Sequence, residues 1–166
     1  MLTRNELTEA EWRAVRNTPH HVIMAVSSSD GSAFDDMLER YAGLQAVVDA
    51  MHSTHPLLRE IAESTQIMAA QAEIRAWYLK VPDADRTSTT LKAKALESMK
   101  QAMKALDAHG GRDDQLQYGD FVIATATRVA RAAKEGDLFG AGGKLVSSGE
   151  QEFIERLRAL AHLPTA

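Results

Sequence analysis

The chain has 166 residues, of which 45% are hydrophobic, and it is long enough to form one domain with its own core. The absence of cysteine excludes disulfides, thiolate-bound zinc, iron–sulfur clusters and a cysteine nucleophile. The net charge of −4 argues against nucleic acid as a partner, because phosphate binding needs a concentrated basic surface.

The first twelve residues, MLTRNELTEAEW, lack the basic start and the apolar stretch of a secretory signal peptide. No segment approaches the roughly 18 consecutive apolar residues that a membrane-spanning helix needs. We therefore expect a cytoplasmic protein without a membrane span.

Two helices are predicted at the start of the chain. Thr8 and Glu11 fit a capping box, in which each side chain binds a backbone N–H of the other residue, so a short helix should run to about Arg16. Thr18 and Pro19 fit the N-cap and first residue of a second helix, because the N–H that proline lacks would be unbonded there. The apolar run VIMAV at 22–26 predicts that this second helix is buried.

A serine-rich turn, SSSDGS at 27–32, precedes the next predicted helix. Ser32 and Asp35 fit its N-terminus, and the helix should end near His52. Apolar residues recur along it at the spacing of a stripe that faces the core. These residues are Phe34, Met37, Leu38, Tyr41, Leu44, Val47, Val48 and Met51.

Polar breaks divide the rest of the chain. The segment after Pro56 predicts one long helix, or two with a bend near Ser64. Residues 80–89, KVPDADRTST, form the clearest linker and separate two candidate halves of one domain, 1–80 and 88–166. Three more helices should follow, and no segment shows the sustained alternation of a strand. The predicted fold is an all-α bundle of six or seven helices, and a weak echo between 26–36 and 106–116 suggests two loosely similar halves.

The segment DLFGAGGKLVSSGE, residues 137–150, raises the question of a phosphate-binding loop. A Walker loop requires G-x-x-x-x-G-K-[ST], but Leu145 follows Gly143-Lys144 and Leu138 occupies the first glycine position. We interpret the segment as a structural connection. The alternative is an anion-binding site made by Lys144, Ser147 and Ser148 at the start of the last helix.

Acidic and histidine residues offer candidate metal sites. Asp30, Asp35 and Asp36 surround one turn, and hard cations prefer several oxygen ligands. The spacing of an EF-hand is absent, so dipole-favouring acids in the first turn of a helix are the alternative explanation. Asp49 and His52 share a helix face and could also contact a metal, although Pro56 should end that helix just beyond them.

The sequence indicates no nucleophile and base pair, since the serines lie mostly in predicted turns and caps and no G-x-S-x-G motif occurs. An enzyme is therefore not the expectation. Trp77 and Tyr78 could line a ligand pocket between helices, although aromatic residues at helical spacing are also typical of a core.

The stretch TPHHVIMAVSSSDGSAFDD, residues 18–36, resembles the helix, turn and acidic helix of the TerB-like (tellurite-resistance) helical proteins. The tail AAKEGDLFGAGGKLVSSGEQEFIERLRAL is similar to the ending of uncharacterised bacterial helical proteins associated with that group. Asp30 and Gly31 match the family turn, whereas Asp35 or Asp36 replaces its glutamate in a shifted register. The resemblance implies an all-helical bacterial cytoplasmic protein that binds a divalent cation through these acids.

Three functions follow as expectations. The first is a non-catalytic interaction or scaffolding module that binds protein partners and self-associates. The second is a TerB-like stress-response protein that binds a divalent cation through Asp30, Asp35 and Asp36. The third is a small-molecule-binding bundle, or an enzyme, with a pocket near Trp77 and Tyr78.

Overall fold

The computed structural model describes residues 1–28, 33–135 and 148–162, except for the side chains of residues 33–37 and 133–135. Within these ranges the chain forms seven α-helices and no strand, which confirms the predicted all-α fold. The helices are α1 (Glu9–Ser27), α2 (Ala33–Asp49), α3 (Pro56–Ile61), α4 (Ser64–Lys80), α5 (Ser88–His109), α6 (Arg112–Glu135) and α7 (Ser148–Ala161). Short 3₁₀ turns occupy Arg4–Glu6, Ala50–His52 and Asp83–Asp85.

Helix α1 is central to the fold, because it packs against α2, α4, α5 and α6. It begins at the predicted capping box: the N–H of Glu11 donates to the Thr8 hydroxyl, and the N–H of Thr8 donates to the Glu11 carboxylate. Most of the helix from Trp12 to Ser27 is buried. Since α1 contacts α5 and α6, the segments 1–80 and 88–166 pack against each other across the linker.

The predicted break before Pro19 is wrong. Helix α1 runs from Glu9 to Ser27 with Pro19 inside it. A proline within a helix leaves the carbonyl four residues earlier without its N–H donor. That carbonyl belongs to Val15, and the buried hydroxyl of Tyr118 on α6 donates to it at 2.8 Å. A side chain from a distant helix therefore allows α1 to continue where the local sequence fits a helix start.

The predicted core-facing stripe of α2 is wrong in part. Three of its large apolar residues are exposed: Tyr41, Val48 and Met51. Helix α2 instead approaches its neighbours at Gly43, where an added Cβ would lie 2.6 Å from a side-chain carbon of Ile23 on α1 and 2.7 Å from one of Val129 on α6. Glycine permits this close approach because it has no side chain. The side chains of Phe34 and Met37 lie outside the described residues.

The other boundaries follow the predicted breaks. The segment after Pro56 forms two helices, since α3 ends at Ile61 and α4 begins at Ser64. The predicted linker at 80–89 overlaps the connection between α4 and α5. The last three helices bury apolar residues, among them Leu91, Leu96, Met99, Leu106, Val122, Val129, Phe153, Ile154 and Leu157. None of the described helices combines the length and apolar character needed to span a bilayer.

Candidate functional site

A cleft of about 440 Å³ opens between α1, α2 and α4, and we refer to it as the central cleft. Its size lies within the range of roughly 300–1,000 Å³ that is common for small-molecule sites. Its lining residues are His20, Ile23, Met24 and Ser28 from α1, Arg40 and Leu44 from α2, and Gln71, Ile74, Arg75 and Tyr78 from α4.

Polar contacts attach α4 to α1 along one side of the central cleft. The Trp12 indole N–H donates to Gln66 at 3.2 Å, and the Arg16 guanidinium donates to Glu73 at 2.6 Å. Because the earlier residue of α1 contacts the earlier residue of α4, the two helices run parallel. Burial raises the pKa of Glu73. Hydrogen bonds from Asn17 and from the two arginines of α1 together lower it by more, so the net shift is downward.

His20 is the most buried polar residue of the central cleft, with only 5% of its surface exposed. Its Nε2 atom has no hydrogen-bond partner in the described part of the chain. Burial lowers the pKa of His20 to about 4, and the charge on Arg16 contributes to the shift. The imidazole is therefore neutral at pH 7. Its Nε2 atom can donate or accept one hydrogen bond, depending on the tautomer.

Two arginines give the central cleft a positive charge. Arg40 donates to Ser27 Oγ at 3.4 Å, which is a long hydrogen bond between α2 and α1. Neither Arg40 nor Arg75 forms an ion pair with a described residue, and no aspartate or glutamate is among the described residues that line the cleft. This local excess of positive charge contrasts with the net charge of −4 of the whole chain.

Apolar side chains form much of the remaining surface of the central cleft. They are Ile23, Met24, Leu44 and Ile74, with the ring of Tyr78 beside them. The Arg86 guanidinium lies 4.9 Å from the centre of the Tyr78 ring and adds a cation–π contact. Ser28, the one serine among the described lining residues, donates its proton to the carbonyl of Met24 at 2.7 Å. The cleft therefore combines an apolar surface with a few polar groups.

The structure separates the two aromatic residues predicted to line a pocket. Tyr78 lines the central cleft, whereas Trp77 makes an edge contact with the His21 ring at 5.8 Å between centres. The Lys94 ammonium lies 5.5 Å from the Trp77 ring centre. Trp77 therefore contacts side chains of α1 and α5 on another side of α4.

A second polar cluster, between α1 and α5, contains a serine beside a histidine. Thr18 donates to the carbonyl of Ala14 at 2.7 Å, Ser98 Oγ lies 2.8 Å from Thr18 Oγ1, and His21 Nδ1 lies 3.1 Å from Ser98 Oγ. Each hydroxyl has one proton. Since Thr18 gives its proton to Ala14, Ser98 must donate to Thr18, and His21 Nδ1 must carry a proton and donate to Ser98. A protonated Nδ1 cannot activate Ser98, so this arrangement is structural.

The metal site at Asp30, Asp35 and Asp36 stays a prediction. Asp30 lies outside the described residues, as do the side chains of Asp35 and Asp36. Asp49 pairs with Arg128 at 2.6 Å, and among the described residues no group of three or more His, Asp or Glu side chains could bind a metal ion.

Most of the predicted anion site also lies outside the described residues. Lys144 and Ser147 lie outside the described residues, whereas Ser148 is the exposed first residue of α7. The anion-binding function of this loop therefore stays a prediction.

A buried group of hydrogen bonds around Asp114 on α6 joins the N-terminal segment to His55, the residue before α3. The N–H groups of Leu2 and Gly111 donate to the Asp114 carboxylate at 2.7 and 2.8 Å, and His55 Nε2 lies 2.7 Å from the same group. Burial raises the pKa of Asp114, but these hydrogen bonds lower it more, so the net shift is downward. The contacts connect three distant segments, which is a structural role.

No protein-family model matches the chain, and neither a curated protein nor a solved structure shows significant similarity to it. The central cleft is therefore interpreted from its own geometry and chemistry.

Sequence reasoning did not identify the polar residues of the central cleft. His20 lies next to His21 in an apolar helix, and nothing in the local pattern distinguishes the two. Arg40 and Arg75 occupy ordinary surface positions of amphipathic helices. The one available signal was the pair of histidines at the start of the apolar run 22–26, because polar residues within a buried segment need partners.

Proposed function

We propose that this protein is a non-catalytic binding protein that takes a small molecule with an apolar body into the central cleft. The observation that carries the proposal is that His20, which lines that cleft, has a buried Nε2 atom without a hydrogen-bond partner among the described residues. A buried polar atom without a partner costs about 1–3 kcal/mol of stability. A ligand that bonds to His20 recovers this free energy and gains the burial of its own apolar surface.

The other side chains of the central cleft support binding rather than chemistry. Ile23, Leu44 and Ile74 offer an apolar surface, and the proton of Ser28 is committed to a backbone carbonyl. Small-molecule sites commonly combine an apolar lining with a few placed polar groups. Self-association and the binding of protein partners stay predictions.

The proposal is tested with N-phenyl-1-naphthylamine, an uncharged fluorescent probe of apolar sites. Leu44 is half-buried and lines the central cleft, so Leu44→Trp places an indole in the space that the probe would occupy. Leu79→Trp is the matched control, because Leu79 is 61% exposed and does not line the cleft. We expect Leu44→Trp to weaken probe binding at least about tenfold in a fluorescence titration and Leu79→Trp to leave it unchanged.

Circular dichroism and thermal unfolding establish that both variants are folded before the titration. Equal binding of the probe to the wild-type protein and to Leu44→Trp contradicts binding in the central cleft. The proposal also fails when neither this probe nor decanoate binds to the wild-type protein.

A further inference from the structure

We propose that the ligand of the central cleft carries an anionic group on its apolar body, and that Arg75 and Arg40 bind this group. The inference rests on the proposed function and specifies the chemical class of the ligand. A fatty-acid-like carboxylate is the simplest molecule of this class.

The arrangement of charges on α4 supports an anion. Glu73 points to α1, where it contacts Arg13 at 3.0 Å and Arg16 at 2.6 Å. Arg75 lies two residues later and lines the central cleft, where it has no carboxylate partner among the described residues. The one acid of this part of α4 is therefore already shared by two arginines of α1, and the charge of Arg75 is left for a ligand.

Arg40 supplies a second positive charge from the opposite helix. Its hydrogen bond to Ser27 at 3.4 Å is long and uses one of the five N–H donors of the guanidinium, and no other described side chain accepts from it. Two arginines on different helices can bind the oxygens of one carboxylate or phosphate, because a guanidinium presents parallel donors to such groups. Since both side chains are exposed, salt should weaken this interaction.

The apolar lining distinguishes an amphipathic anion from a simple ion. Ile23, Met24, Leu44 and Ile74 would stay in contact with water if the cleft bound only a small inorganic anion. An apolar chain covers these side chains and gains roughly 25 cal/mol for each Å² removed from water. His20 Nε2 is then available to a polar group of the ligand or to a water molecule bound with it.

The experiment compares three probes that separate the two parts of the ligand. Decanoate carries both an anionic group and an apolar chain, decan-1-ol carries the chain without the charge, and acetate carries the charge without the chain. Each is titrated below its micellar range against the protein with bound N-phenyl-1-naphthylamine, and direct calorimetry measures decanoate binding. We expect decanoate to bind about tenfold more tightly than decan-1-ol, and acetate to bind weakly.

Charge-removing variants assign the preference to the arginines. We expect Arg75→Gln to weaken decanoate binding about tenfold, with a smaller effect of Arg40→Gln, and to leave decan-1-ol binding unchanged. Arg59→Gln is the matched control, because Arg59 is an exposed arginine of α3 that does not line the central cleft. Raising the salt concentration should reduce decanoate binding to the wild-type protein and not decan-1-ol binding.

The outcomes separate this inference from the proposed function. Equal affinity for decanoate and decan-1-ol, or a decanoate affinity that Arg75→Gln leaves unchanged, overturns the anionic class and leaves the central cleft as a site for neutral molecules. Binding of acetate as tight as that of decanoate overturns the amphipathic class. When none of the probes binds, the proposed function fails together with the inference.

Discussion

His20 and His21 are neighbours in the chain, and their rings have different surroundings. His21 donates to Ser98 on α5, whereas His20 lines the central cleft with Nε2 unpartnered. Burial lowers the pKa of His20 to about 4 and that of His21 to about 3, with nearby positive charges adding to both shifts. Both rings are neutral at pH 7, so each is a hydrogen-bonding group rather than a charge.

These shifts predict an acid-dependent loss of stability at the residue scale. In the unfolded chain a histidine binds a proton near pH 6.5, whereas folded His20 does so only near pH 4. The unfolded state therefore binds more protons between these values, and the free energy of unfolding falls as the pH falls through this window. For His20 the shift corresponds to about 3 kcal/mol.

The measurement is urea unfolding at several pH values from 7 to 4 for His20→Phe and His52→Phe. We expect His20→Phe to reduce the loss of stability across this window, because its ring cannot bind a proton. His52→Phe is the control, since His52 is exposed. If His20→Phe and the wild-type protein lose equal stability over this window, folded His20 is protonated at an ordinary pH and is not held neutral by burial.

At the scale of the elements, the Tyr118 hydroxyl compensates for the proline within α1. It donates to Val15 O at 2.8 Å, at the carbonyl that Pro19 leaves without its helical donor. Burial raises the pKa of Tyr118, so its hydroxyl keeps its proton and donates at all ordinary pH values. Helix α1 thus depends on α6 for one of its own hydrogen bonds.

A double-mutant cycle tests this dependence. Tyr118→Phe leaves the Val15 carbonyl buried without a donor, and we expect it to lower the free energy of unfolding by about 1–3 kcal/mol. Pro19→Ala restores the backbone N–H, so the cost of Tyr118→Phe should be smaller in the Pro19→Ala background. The quantity to measure is this difference, by urea unfolding of the four proteins. Equal costs in the two backgrounds would mean that Tyr118 acts through its packing and not through Val15.

Local signals predicted the helices well because caps and apolar periodicity act over a few residues. The Thr8 capping box and the linker between α4 and α5 are examples. The prediction at Pro19 was wrong because the compensating hydroxyl lies on another helix, far along the chain. The prediction of which residues of α2 face the core was partly wrong. Periodicity favours large apolar residues, whereas the close contact with α1 and α6 is made at Gly43.

At the scale of the whole molecule, the central cleft depends on how α2 and α4 are placed against α1. Tyr78 was predicted as a pocket residue, but no pattern within one helix places His20, Arg40 and Arg75 around one space. The helices of this molecule are packed in two different ways. Helices α1, α5 and α6 share a large apolar core, whereas α4 buries only Ala70 and Ile74 fully and attaches to α1 through polar contacts.

This difference predicts that α4 opens more easily than the core helices. Stability varies across a structure, and elements with few buried apolar side chains open at lower free energy. We expect amide hydrogens of α4 to exchange faster than those in the centres of α5 and α6. Glu73→Gln should increase exchange in α4 by about tenfold, because Arg16 is buried and loses its carboxylate partner, a change of about 1.4 kcal/mol.

The matched control is Glu97→Gln, which removes the charge of an exposed glutamate on α5 that accepts a hydrogen bond from Gln101. It should leave exchange in α4 unchanged. Decanoate should slow exchange in α4 of the wild-type protein, because a ligand that contacts α1, α2 and α4 together stabilises the closed state by mass action. If α4 exchanges as slowly as α5 and α6 without ligand, it belongs to the same cooperative unit. A ligand must then reach His20 through the open cleft, without movement of α4.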